Sequence, residues 1–168
     1  MPIFMKLGDV KGETTEARRE EWIPCESLSA SVFCSAVIGG KDDQWSPCET
    51  TLGDVEVVRL LDEASAKLFE SCANGTCFDD VEIHVCTQVG NRPEPYLKYK
   101  LNNVIISGYT FFYAVATGEP PSVEITMNCT GTEWTYIVMD PVTGEKKGSV
   151  TAKYSPESGL QPAGARVA

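Results

Sequence analysis

The chain has 168 residues and a formal net charge of −10 at pH 7, which fits one acidic domain of ordinary size. Its longest basic runs are the pairs Arg18-Arg19 and Lys146-Lys147, so it lacks the clustered cations that nucleic-acid binding needs. No window approaches the roughly 18 apolar residues of a membrane span, and the first residues lack a secretory signal. We therefore expect a protein that is made in the cytoplasm, has no nucleic-acid partner or membrane insertion, and leaves the cell only by a route that accepts folded protein.

The seven cysteines and the single histidine give little support for a metal site, because zinc needs regularly spaced Cys and His ligands. The cysteine spacings are irregular and the number is odd. We interpret these residues as small, mostly reduced side chains in the interior, with a cross-link formed after export as the alternative. No metal or cofactor is predicted. The cysteines are Cys25, Cys34, Cys48, Cys72, Cys77, Cys86 and Cys129.

The first segments of the chain predict β-structure with a charged interruption. Pro2–Leu7 alternates in side-chain type and is typical of a strand. Glu13–Glu21 is charged and has no apolar face to bury, so we expect a solvated loop or a hairpin tip. Trp22–Val37 is β-like, but its apolar residues do not keep one alternation, and a bulge or bend is expected near Pro24 or Ser27.

A long loop is predicted at Ile38–Thr50, which is rich in Gly and Asp. Loops of this length inside a compact domain are usually functional or mobile. This loop carries Trp45, which either folds back onto its own domain or docks on a partner, because aromatic residues are enriched in the centres of interfaces.

The stretch Gly53–Val89 predicts the one helix of the chain, between two strands, because the apolar period changes here from two to about 3.6. Asp62 and Ser65 are both residue types that cap a helix N-terminus. Asn74-Gly75 ends the helix, since both residues tolerate the left-handed conformation. The helix is therefore expected at about residues 64–74. The apolar residues expected on one face of it are Leu68, Phe69 and Cys72.

The remainder of the chain predicts further short strands, separated by turn residues up to Tyr154. A bulge is expected at Asn102-Asn103, a turn or kink at Ser107-Gly108, and a strand break at Thr130–Thr132. In total, eight to ten strands with one helix favour a mainly β fold, either a β-barrel or a compact sandwich with the helix at one side. We expect a single domain over residues 1–154 and a flexible C-terminal tail over residues 155–168.

The search for catalytic chemistry gives one weak pattern. Glu82, His84 and Cys86 share the polar face of one predicted strand, which would suit a thiol enzyme that uses Cys86 and His84. Such rows arise by chance in any polar face, so we expect His84 to be a surface or interface residue and assign no catalytic residue. A monomeric ligand-binding β-domain is a further alternative.

Several segments taken together resemble one known family. The opening IFMKLGDVKGE, the central VEVVRLLDEASAKLFESCANGTCFDDVEIHV, and the later YLKYKLNNVIISGY and PPSVEITMNCTGTEWTY occur in the order of its strands and helix. In this respect the chain is similar to the haemolysin-coregulated proteins (Hcp), the tube subunits of type VI secretion systems. The resemblance covers most of residues 3–154.

The resemblance implies a compact β-barrel of two antiparallel sheets with one flanking helix and no catalysis. It implies a homo-hexameric ring that stacks head to tail into a tube inside contractile sheath proteins, behind a spike protein. The tube is expelled to the extracellular space or a target cell and carries or chaperones effector proteins in its lumen. The seven cysteines and the composition of Ile38–Thr50 depart from the family pattern, which affects the expected details of stacking.

A stacking ring needs two lateral and two axial contact surfaces on each subunit. The lateral candidates are the exposed faces of edge strands and the long loop, with Ile38, Asp42, Asp43 and Trp45. The axial candidates are two charged segments, Glu13–Glu21 and Asp140–Lys147, because opposite charges there would set the register. Their alternative interpretation is as solvated loops. The residues proposed within the axial segments are Glu20, Glu21, Glu145, Lys146 and Lys147.

Overall fold

The computed structural model describes residues 1–35, 49–115, 118–140 and 142–155. Within these residues the chain forms eight β-strands and one α-helix, so the prediction of a mainly β fold with one helix is confirmed. The elements are β1 Ile3–Leu7, β2 Ile23–Cys25, β3 Ser27–Ser35, β4 Glu49–Leu60, α1 Ala64–Asn74, β5 Cys77–Val89, β6 Arg92–Phe112, β7 Ser122–Met139 and β8 Lys146–Tyr154.

The strands form one antiparallel sheet rather than two, in the order β2-β1-β5-β6-β7-β4-β3, and β8 also pairs with β7. No ladder joins the two end strands, β2 and β3, in the described part of the chain. These strands are nevertheless consecutive in sequence, separated only by Glu26, whose N–H donates to the carbonyl of Val58 at 2.8 Å. The two ends of the sheet therefore meet at one residue, and the sheet curls around its apolar face.

The core lies on the concave face of this curled sheet. Alternate residues of β1, β4, β5, β6 and β7 point inward, as the period of two in a strand requires. Each fully buried aliphatic side chain contributes roughly 1.5–3 kcal/mol through removal of apolar surface from water. The fully buried apolar side chains are Met5, Leu7, Ile23, Val57, Leu68, Val81, Ile83, Leu101, Val104, Val123, Ile125 and Met127.

The helix begins and ends where the sequence predicts. The Oδ1 atom of Asp62 accepts the N–H of Ala64 at 2.9 Å, and the Oγ of Ser65 accepts the N–H of Asp62 at 3.1 Å. Gly75 ends the helix with a φ of 63°, a conformation that costs a glycine little. Leu68 points into the core, but Phe69 is exposed and packs edge-on against the ring of Tyr109.

Neither the turn or kink predicted at Ser107-Gly108 nor the break predicted at Thr130–Thr132 ends a strand, and the apolar run continues past Asn102-Asn103 as expected. β6 and β7 run continuously through Asn102-Asn103, Ser107-Gly108 and Thr130–Thr132. Asn103 takes a positive φ of 47°, and the β6–β7 register shifts between Ile106 and Gly108. The extra residue at this register shift forms a β-bulge, which bends β6 while its hydrogen-bonded pairing with β7 continues.

Two of the predicted segments fall largely outside the described residues. The long loop with Ile38, Asp42, Asp43 and Trp45 lies there, except for its last two residues, which begin β4. The predicted tail over residues 155–168 also lies there, apart from Ser155. The bend expected near Pro24 or Ser27 falls between β2 and β3, at Glu26. Among the described residues, no helix has the length and hydropathy needed to cross a membrane.

Candidate functional site

The charged segment that precedes β2 packs on the outer face of β1 and β5. Arg19 is only 3% exposed, and its guanidinium donates from Nε to Nδ1 of His84 at 3.1 Å. The Nη1 atom donates to Glu16 at 3.0 Å and to the carbonyl of Pro93 at 3.2 Å. The guanidinium also lies over the ring of Phe4, 5.3 Å from its centroid. The interpretation of this whole segment as solvated is therefore wrong for Arg19, because its charge is neutralised and hydrogen-bonded in a buried position.

His84 is 7% exposed, so the expectation that it lies at the surface is also wrong. Arg19 can only donate, which means that Nδ1 accepts and Nε2 carries the ring proton. Nε2 lies 2.6 Å from Oε1 of Glu82, and the hydrogen bond from His84 lowers the pKa of that carboxyl. The ring also packs against Trp22, with 4.7 Å between centroids. Both ring nitrogens are thus occupied, and neither is available as a general base.

Cys86 does not form a reactive pair with His84 in this arrangement. Its side chain has no exposed surface, and burial raises the pKa of its thiol. A nucleophilic cysteine needs the opposite, a lowered pKa and access to solvent. In the row of Glu82, His84 and Cys86, the histidine joins the loop to the sheet, Glu82 holds the histidine and stays partly exposed, and Cys86 is buried. No cluster of potential metal ligands occurs among the described residues.

An apolar surface extends beyond the core on β7 and β8. Trp134 pairs in register with Tyr99, and Tyr136 pairs with Leu97, so all four side chains lie on the face that forms the core further along the sheet. Val150 of β8 pairs in turn with Tyr136 and is 59% exposed. Tyr96 packs edge-on against Tyr136, but Trp134 and Tyr136 each remain 44% exposed, and we call this surface the β7–β8 apolar face. The exposed apolar residues on these strands are Trp134, Tyr136, Val138 and Val150.

The candidate axial residues on the two charged segments are all exposed. Arg18 forms an ion pair with Glu94, and Lys146 approaches the other oxygen of the same carboxylate at 3.5 Å. These charges lower the pKa of Glu94, although burial opposes the shift. The loop before β2 and the β7–β8 hairpin are therefore neighbours in one subunit. The exposed candidates are Glu20, Glu21, Glu145, Lys146 and Lys147.

A groove of about 760 Å³ lies near the start of β5, beside the N-terminus of α1 and the turn after β1. Val10 and Phe78 form apolar parts of its wall. Its carboxylates belong to Asp9, Glu63 and Asp79. Its one cysteine, Cys77, is exposed.

Comparison of the sequence with models of known protein families identifies the family of this chain. The family model described as "Type VI secretion system effector, Hcp" matches residues 4–136. The chain belongs to the Hcp family. The sequence resemblance is thereby confirmed, and this Hcp protein is a member of a structural family of type VI secretion systems whose proteins are secreted. No curated protein sequence matches the chain.

Solved structures agree with the Hcp fold. One described as a type six secretion system protein has a TM-score of 0.86 at 22% identity, covering 94% of this chain and 96% of the other. A type VI secretion system effector from Yersinia pestis has a TM-score of 0.70 at 22% identity, covering 91% and 98%. Hcp1 from Salmonella typhimurium has a TM-score of 0.74 at 19% identity, covering 96% and 97%. At these identities the likeness concerns the fold alone.

Sequence reasoning missed the residues that define the main surfaces of this Hcp protein. Arg19 follows Arg18 in a charged run, and nothing in that run distinguishes the buried arginine from the exposed one. Trp134 and Tyr136 did give a signal, since they alternate with polar residues in a predicted strand. Whether an apolar face is covered depends on the neighbouring strands. The sequence does not show that Trp134 and Tyr136 lie between β6 and the short edge strand β8.

Proposed function

We propose that this chain is the tube subunit of a type VI secretion system. Six copies form a ring, and the rings stack into a tube inside contractile sheath proteins and behind a spike protein. The tube is expelled into the extracellular space or a target cell and carries effector proteins, which the lumen also chaperones. The observation that carries this proposal is the β7–β8 apolar face of a chain that belongs to the Hcp family.

The β7–β8 apolar face supports association of copies because it continues the core face and stays partly exposed. Contiguous exposed apolar surface is typical of protein–protein contact sites. β8 is also an edge strand with side chains exposed along nearly its whole length. Edges of this kind need a partner or a protective device. A contact between two different surfaces of identical copies closes into a ring when its rotation permits.

The candidate contact residues are retained in this proposal. Glu20, Glu21, Glu145, Lys146 and Lys147 are exposed charges at or near the segment ends, as axial contacts require. The loop residues assigned to lateral contacts are Ile38, Asp42, Asp43 and Trp45. Exposed charges contribute more to the register and specificity of a contact than to its affinity. The β7–β8 apolar face would therefore supply most of the binding free energy between neighbouring subunits of a ring.

We also propose that the subunit performs no catalysis. Both nitrogens of His84 are engaged by Arg19 and Glu82, and the Cys86 thiol is buried with a raised pKa. Neither arrangement suits a nucleophile and base pair.

Native mass spectrometry with negative-stain microscopy tests the proposal. We expect a species of six chains and annular particles at micromolar concentration. A monomer that persists at high protein concentration would contradict the ring. A monomer whose tryptophan fluorescence responds to a small ligand would instead support the ligand-binding alternative.

A further inference from the structure

The β7–β8 hairpin projects an apolar tip from a basic surface. Val142 at the tip is 90% exposed. The turn behind it is held by Asp140, whose carboxylate pairs with Lys147 at 2.6 Å and accepts the N–H groups of Val142 and Thr143. Gly144 packs so closely on Val89 that a Cβ atom there would lie 2.3 Å from its Cγ1. The hairpin is therefore a defined structure that lies against the end of β5.

Basic residues exceed acidic ones around this hairpin, in a chain of formal charge −10. Four cations lie there against three carboxylates, Glu94, Asp140 and Glu145, which gives a local excess of one positive charge. We call the four cations the basic end. They are Arg18, Arg92, Lys146 and Lys147.

The groove beside α1 has the opposite character. Its two lysines are paired with carboxylates that do not line it, Lys11 with Glu21 at 2.7 Å and Lys67 with Glu70 at 2.9 Å. The first amides of the helix are also occupied, since the N–H of Ala64 donates to Asp62. Counted with these partners, as at the basic end, two lysines lie there against five carboxylates, which gives a local excess of three negative charges; the carboxylates are Asp9, Glu63, Asp79, Glu21 and Glu70.

The groove and the hairpin lie at opposite ends of β5. Asp79 lines the groove and Val89 contacts the hairpin, and ten residues of strand span about 33 Å at 3.3 Å per residue. One subunit cannot bring its own hairpin to its own groove over that distance. A contact between them must join two copies head to tail, and such a contact builds a stack when it does not close.

We infer that the β7–β8 hairpin of one copy docks in the acidic groove of the next copy along the tube axis. Val142 would enter between Val10 and Phe78, and the basic end would face the carboxylates of the groove. The partner is thus a second copy of this chain, selected by charge complementarity between the two ends. This inference rests on the proposed ring and concerns only how rings stack.

Charge reversal at each end tests the contact. Arg92→Glu with Lys146→Glu should leave rings intact but shorten the stacks seen by sedimentation velocity and negative stain at low salt, by about tenfold in mean length. Asp9→Lys with Asp79→Lys should do the same, because every ring repeats the contact in each subunit. Lys98→Glu with Lys153→Glu makes the same change in net charge as the hairpin variant, at the middle of the sheet, and should leave the stacks unchanged.

A variant that combines all four charge reversals should stack again, because its hairpin end is then acidic and its groove is basic. Val142→Ser should shorten the stacks while every charge at the hairpin stays as it is. Stacks that are unchanged in either reversal variant, or a combined variant that still fails to stack, would overturn the docking. Loss of the rings in the hairpin variant would place the contact within the ring and would overturn the axial assignment. Absence of rings in the unmodified protein contradicts the proposed function itself.

Discussion

Arg19 donates a hydrogen bond from Nε to Nδ1 of His84 across 65 residues of sequence, and both side chains are buried. This contact fixes the loop before β2 on the outer face of β5. It also sets the tautomer of the imidazole, because an arginine offers no acceptor.

Replacing Arg19 with alanine should destabilise the fold by about 2–3 kcal/mol. The change leaves Glu16 and the carbonyl of Pro93 without a buried donor, and unsatisfied buried groups bear their full desolvation cost. Urea unfolding followed by tryptophan fluorescence measures the difference. Arg18→Ala is the matched control, and it should cost less than about 1 kcal/mol because its ion pair with Glu94 is partly exposed. Equal effects of the two changes would contradict the buried role of Arg19.

The buried pair of Arg59 and Asp62 predicts a large effect from loss of one charge. Arg59 has no exposed surface, and its guanidinium contacts the carboxylate of Asp62. Asp62→Asn keeps an oxygen that can cap Ala64 but removes the negative charge. We expect a loss of about 3–5 kcal/mol, the usual cost of leaving a buried charge unpaired. Glu70→Ala, which breaks the exposed pair with Lys67, should change the free energy of unfolding by less than about 1 kcal/mol.

Two neighbouring positions on β8 distinguish the two faces of the sheet. Val150 lies on the β7–β8 apolar face, and Thr151 points the other way and contacts the hydroxyl of Thr135 at 3.0 Å. Val150→Lys should shift the ring towards smaller species in native mass spectrometry, because a charge would be buried in an apolar contact. Thr151→Lys should leave the ring intact. A larger loss of rings in Thr151→Lys than in Val150→Lys would place the lateral contact on the opposite face of the sheet.

The free thiols should differ strongly in reactivity at neutral pH. Cys77 is exposed, whereas Cys25 and Cys86 are buried, and burial raises the pKa of Cys25 to about 12. A brief maleimide pulse read by peptide mass spectrometry should label Cys77 first and leave the two buried thiols unmodified until the protein unfolds. Rapid labelling of Cys86, lost in Cys86→Ser, would support a thiol enzyme instead.

The β7–β8 turn should lose its order in acid. The hydrogen bond from Lys147, with those from the Thr143 and Val142 amides, lowers the pKa of Asp140 to about 2. Because this is below the unfolded value of about 3.9, the carboxylate stabilises the turn above about pH 4, and that stabilisation is lost as the pH falls towards 2. Amide chemical shifts of Val142 and Thr143 should titrate near pH 2 and move to higher pH in Lys147→Ala. A midpoint near 4 in the unmodified protein would contradict the ion pair.

Local sequence was sufficient for the elements that depend on local chemistry. The Asp62 carboxylate, which accepts the N–H of Ala64, and the stop at Gly75 lie at the two ends of α1 that the sequence predicts, although Glu63 at the N-cap position makes no side-chain cap. The turn residues at Ser107-Gly108 form a bulge and not a strand end, because the same residue types serve both, and the pairing with β6 continues in register through Thr130–Thr132. Which of the two forms depends on the neighbouring strand.

The fold class, the single helix and the resemblance to the Hcp family follow from the sequence, because alternation, caps and turns are properties of consecutive residues. Three features are seen only in the folded chain: Arg19 and His84 are buried, Trp134 and Tyr136 stay partly exposed, and the hairpin and the groove lie at opposite ends of β5. Those outcomes depend on which strands become neighbours, and long-range pairing is not recorded in the spacing of residues along one strand.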